Sequence, residues 1–166
     1  MITFKIQARL YEKIRADLRR PHAYANERVG FLTVGSARTP NGLLLLAQEY
    51  WPIADEHYVD NPNVGAEYDE RAIRVIMELA YNQSVGIFHV HEHPHNMQCF
   101  SNLDLASIPQ LVDGLFSYSS KSVHGAVLLT DKLCNSMLWL PGASSSRRIS
   151  QFQIIGKTIV KINATR

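Results

Sequence analysis

Apolar and polar residues alternate in ITFKI at the start of the chain, the pattern of a strand with one buried face. From about Ala8 to Arg20 the period changes. Leu10, Ile14 and Leu18 recur four apart, which predicts a helix with a single apolar stripe. Its basic residues Arg9, Lys13, Arg15, Arg19 and Arg20 are then expected to form a solvated side. RVGFLTVGSA and GLLLLAQEYWPI flank RTPNG, whose Pro-Asn-Gly is turn chemistry, so these segments read as a hairpin. Residues 54–68 are polar with Pro and Gly and read as a loop. Ile73, Ile76, Met77 and Ala80 predict a second helix from about Asp69 to Tyr81. SVGIFHVH reads as a strand. A helical region is expected after Ser101, with Ile108, Leu111, Val112 and Leu115 on one face and Pro109 forcing a break or restart. GAVLLT and SMLWL read as paired strands around DKLCN, and SQFQIIGKTIVKI as further β structure interrupted at Gly156.

This order predicts an α/β fold with one mixed sheet covered by helices. At 166 residues, 46% of them hydrophobic, the chain is expected to form a single domain over 1–166 with a substantial core. Lys and Arg number 17 against 15 Asp and Glu, which gives no broad electrostatic footprint for nucleic acid. No apolar run has the length of a membrane span. MITFKIQARLYEKI lacks the charged-then-apolar order of a signal peptide, and two cysteines make no disulfide framework, so a soluble cytoplasmic protein is expected.

GIFHVHEHPHNMQCFSNLD concentrates the candidate chemistry. It holds His89, His91, His93 and His95, four of the seven histidines, at every second position. On a strand, residues two apart share a face, so any His-x-His pair there can aim two imidazoles at one metal ion. Catalytic zinc commonly takes three protein ligands. Seven residues after the 91/93 pair comes Ser-x-x-Asp, which supplies Asp104. The same offsets from 89/91 reach Cys99 and Asn102, and from 93/95 they reach Leu103 and Ala106. Only His91, His93 and Asp104 make a coherent set of two nitrogens and one oxygen. Read alone, Ser101-x-x-Asp104 is a helix N-cap.

The stretch HEHPHNMQCFSNLD resembles the signature of the JAB/MPN (JAMM) metalloproteases, His-x-His-Pro, six residues, then Ser-x-x-Asp. NERVGFLTV is similar to the family's upstream glutamate segment, with Glu27 followed by Gly30, Phe31 and Leu32. The expected elements also come in family order along nearly the whole chain. Glu92 and Phe100 depart from the usual residues; Glu92 should point away from the metal. The resemblance implies an MPN/JAB domain of cytidine-deaminase-like architecture. It implies one Zn2+ held by His91, His93 and Asp104, Glu27 as general base and Ser101 as oxyanion donor.

The implied activity is hydrolysis of a peptide or isopeptide bond at the C-terminus of a ubiquitin-like protein, by deconjugation or precursor processing. The short segments at 52–68 and SYSSKS look more like prokaryotic members acting beside E1- and E2-like enzymes, including those of antiphage operons. No nucleic acid and no membrane partner is expected. The alternatives are a non-catalytic MPN scaffold or a RadC-like, nucleic-acid-associated JAB protein. A nucleoside deaminase is excluded by the lack of His-x-Glu and Pro-Cys-x-x-Cys. His89 reads as a buried histidine or as a neighbour of the site, His95 as an exposed loop residue, and Cys99 as a loop cysteine or a redox-sensitive ligand.

Overall fold

The computed structural model describes residues 1–93, 97–131, 133–156 and 160–164. The alternating segment forms β1 (Ile2–Gln7) and buries Ile2, Phe4 and Ile6. α1 (Ala8–Leu18) follows directly, and its stripe buries Ile14 and Leu18. β2 (Val29–Thr39) and β3 (Gly42–Pro52) form the expected hairpin, with Thr39 paired to Gly42 across Pro40 and Asn41. The expected loop carries one short 3-10 turn at Asp55–His57. α2 (Glu70–Gln83) begins after Asp69, whose carboxylate accepts from the Arg71 and Ala72 amides and so caps the first turn. β4 (Gly86–Glu92), α3 (Asn102–Tyr118), β5 (His124–Leu129) and β6 (Leu133–Trp139) follow, then β7 (Gln151–Ile155) and β8 (Val160–Ala164).

All eight strands belong to one mixed sheet in the order β1-β3-β2-β4-β5-β6-β8-β7. Parallel pairing joins β1 to β3, β4 to β5 and β6 to β8, whereas β2 pairs antiparallel with both β3 and β4. The α/β expectation is met at this level. The sheet also closes, because β1 pairs parallel with β7 through Phe4↔Phe152. Closure leaves no bare edge among the described strands.

β4 divides the core by its two-residue period. Phe88 and Val90 face the cluster that holds Phe4, Phe152, Ile14 and Leu18, and Phe4 stacks on Phe152 with ring centres 5.2 Å apart. Ile87 faces the opposite cluster, with Phe31, Ile76, Ala80 and Leu115. The odd-numbered histidines of β4 lie on this second face, between the sheet and α2 and α3. Gly30 brings β2 and β3 together, since a Cβ there would meet the Tyr50 ring at 2.3 Å. The Tyr50 hydroxyl in turn donates to Asp17 of α1 at 2.7 Å.

Two expectations are corrected. Pro109 does not break α3, which runs unbroken through it. The carbonyl it leaves unpaired belongs to the exposed Leu105, where water can reach it, while buried Ile108, Val112 and Leu115 dock the helix on both sides of the proline. Arg15 is not on a solvated side. Its side chain is 11% exposed and bonds the Thr130 carbonyl, Glu92 at 3.0 Å and Asp131 at 2.6 Å. Helix periodicity could not show that two acids from the sheet end would meet this position.

Candidate metal centre

The site forms where β4 ends against the start of α3. The strand period sends His89 and His91 to the α2–α3 side, and His93 follows one residue after the strand. Ser101 caps α3 in a reciprocal box. Its hydroxyl oxygen accepts from the Asp104 amide at 3.1 Å, and Asp104 Oδ2 accepts from the Ser101 amide at 2.7 Å and from its hydroxyl at 2.6 Å. The helix-cap reading of Ser-x-x-Asp therefore holds, and the cap fixes the Asp104 carboxylate beside the histidines.

His91 Nε2 lies 3.1 Å from His93 Nε2 and 3.5 Å from Asp104 Oδ1, and His93 Nε2 lies 3.2 Å from Asp104 Oδ2. Ligands about 2.0–2.2 Å from a tetrahedral zinc stand roughly 3.3–3.5 Å from one another. Two imidazole Nε2 nitrogens and a carboxylate converge close to this spacing. The donor set fits a divalent cation. Glu27, His91 and His93 also bring ligand atoms within 4.8 Å of one another. Glu27 Oε1 is 4.0 Å from His93 Nε2, farther than the Asp104 contacts.

Glu27 lies in the bend before β2. Arg28 anchors that bend. It is 2% exposed, pairs with both Asp55 oxygens at 2.7 and 3.1 Å, and donates to the Arg20 and Pro21 carbonyls. From the other side the Gly65 carbonyl accepts from the Asn26 and Glu27 amides, each at 2.9 Å. Gly65 sits so close that an added Cβ would stand 2.5 Å from Glu27 Cδ and 2.7 Å from each carboxylate oxygen. The loop is closed by a Tyr58↔Tyr68 bridge and the Val59 amide to Glu67 carbonyl bond. Sequence reading found Glu27 but missed Gly65, because one glycine in a polar loop carries no local sign of which carboxylate it will face.

Burial alone would raise the Asp104 carboxyl, but hydrogen bonds from His91 and His93 outweigh it and hold the group well below the usual carboxylate range. Burial pushes Glu27 up, partly opposed by His93 and His91. The hydrogen bond to Asp104 raises His93. Burial drives His89 the other way, down to about 3, so it is neutral at physiological pH. Its ring meets His91 edge-on at 5.0 Å and lies near Phe31 and Tyr68, and its Nδ1 is buried without a partner. Glu92 points to α1, bonding Arg15 and Arg19, each at 3.0 Å, and so away from the cage. Cys99 is exposed, and His95 lies outside the described residues.

Two openings flank the centre. A cavity of about 700 Å3 reaches Glu27, His91 and Asp104 and is walled by Val64, Ala66, Tyr68, Ile73, Met77 and Leu111. On the other side Glu27 and His93 border a polar depression with Arg19, Arg20, His22, Glu92 and Asp131. Among the described residues no helix is long and apolar enough to cross a membrane. No family model and no curated protein matches the chain.

Proposed function

We propose that the chain is a zinc-dependent isopeptidase or processing protease of JAB/MPN type that cuts at the C-terminus of a ubiquitin-like protein. The observation that carries the reading is the convergence of His91, His93 and Asp104 within 3.5 Å, with Glu27 at 4.0 Å. Combined with the His-x-His-Pro and Ser-x-x-Asp spacing, this arrangement supports hydrolysis over a purely structural metal site. A structural zinc closes its fourth position with another protein ligand, whereas here a base stands beside the cage and a cavity opens next to it.

Held by His91, His93 and Asp104, Zn2+ would supply Lewis acidity toward the scissile carbonyl and the attacking water. Glu27 takes the proton of the attacking water and passes it to the leaving amine. Its burial pushes the carboxyl above its ordinary value, the direction that makes it a stronger base. Ser101 first orients Asp104. To meet the oxyanion its hydroxyl must turn from Asp104 Oδ2, so the oxyanion and Asp104 compete for one proton, while the cap, in which Oγ accepts from the Asp104 amide, does not use it.

Zinc-loaded wild type and Glu27→Gln are incubated with fusions of candidate ubiquitin-like proteins to a reporter. Cleavage by wild type alone supports the reading. Equal cleavage by both forms, or zinc in the protein with no fusion cut, refutes it.

A further inference from the structure

We infer that the substrate carries a large apolar side chain on the residue that supplies the scissile carbonyl, seated in the cavity beside His91 and Asp104. This rests on the proposed hydrolytic reading and narrows its substrate class. Three elements build the wall. Val64, Ala66 and Tyr68 come from the closed loop, Ile73 and Met77 from α2, and Leu111 from α3. No lysine or arginine lines the cavity, so an acidic side chain would lose its water without finding a cation. Of the lining acids, Glu27 and Asp104 belong to the site, and Glu67 is bound by the Asn61 amide at 2.6 Å.

The volume is about 700 Å3, within the range that encloses small ligands. A glycine residue would leave this apolar part of the lining uncovered. A phenylalanine- or leucine-sized group would cover it, and the thioether of Met77 can adjust to the shape. The cavity ends at the groups proposed to act on the carbonyl, so an occupied wall also sets the position of the bond to be cut.

The test uses zinc-loaded protein and N-acetylated hydroxamates of glycine, lysine and phenylalanine, which share one metal-binding head. Affinities are read by titration calorimetry, independent of turnover. The phenylalanine compound is expected to bind about tenfold or more tightly than the glycine compound. Ala66→Trp, which fills the cavity from the loop, should erase that advantage while zinc content stays unchanged. Equal affinities, or tightest binding of the lysine compound, would overturn the inference. The wild-type ranking decides the question even if Ala66→Trp does not fold. Protein that takes up no zinc sinks both the metal reading and this inference, whereas zinc with equal affinities sinks the inference alone.

Discussion

Gly65→Ala adds one methyl group at the tightest contact in the site. The new Cβ would stand 2.5 Å from Glu27 Cδ where ordinary contact begins at 3.4 Å, so about 0.9 Å must be found. The loop cannot simply withdraw, because Gly65 holds the Asn26 and Glu27 amides and the Tyr58↔Tyr68 bridge closes its base. The bend cannot withdraw either while buried Arg28 pins it to Asp55. The Glu27 side chain is the free part, and it must swing. A misplacement of about 1 Å in a catalytic group costs on the order of a hundredfold in rate. Gly65→Ala should therefore lower kcat about a hundredfold, with KM and zinc content nearly unchanged. Kinetics on a cleaved fusion and metal analysis of the same sample read both quantities. Combining it with Glu27→Gln should add little further loss, since the two act through one carboxylate. Wild-type kcat in Gly65→Ala, or a loss of zinc equal to the loss of activity, would refute the positioning role.

Ser101→Ala removes the α3 cap and the hydroxyl that holds Asp104, so stability should fall by about 1 kcal/mol in urea unfolding. Its zinc affinity should fall roughly 10- to 100-fold in chelator competition. Arg15→Met leaves the partly buried Glu92 with Arg19 alone and removes the bond to the Thr130 carbonyl, which should cost about 1 kcal/mol, read by the same unfolding assay. His124 sets a pH dependence away from the metal. Its Nδ1 accepts from the Ile87 amide and its Nε2 lies 2.9 Å from the Ser119 carbonyl, so the buried ring is neutral and its pKa is lowered by burial. The unfolded chain then binds the extra proton first. Stability should be full above about pH 6.5 and fall as pH drops, with a slope of at most about 1.4 kcal/mol per pH unit from this group. In His124→Gln the slope just below about pH 6.5 should shrink, whatever the change in absolute stability.

Much of this arrangement is legible along the chain because it depends on short-range periods. The stripe of Ile14 and Leu18, the Thr39–Gly42 turn and the alternation of β4 are local patterns, and each matches its element. The offset between His91, His93 and Asp104 is legible for the same reason, since a strand end, a loop and one helical turn set it. What escapes the sequence is the product of distant approach. The closing Phe4↔Phe152 pairing joins segments from opposite ends of the chain. Arg15 finds Glu92 and Asp131 only because α1 crosses the ends of β4 and β5. Pro109 reads as a breaker locally but is overruled by the burial on both sides of it. Gly65 is silent for the same reason, its function lying in the Glu27 carboxylate that it touches.

The central claim is that Asp104, not Glu27, completes the metal cage with His91 and His93. Metal analysis of the purified protein and three alanine variants tests it directly. Wild type and Glu27→Ala should each hold about one zinc per chain, and His91→Ala and Asp104→Ala should hold little. Zinc retained in Asp104→Ala but lost in Glu27→Ala would contradict the account.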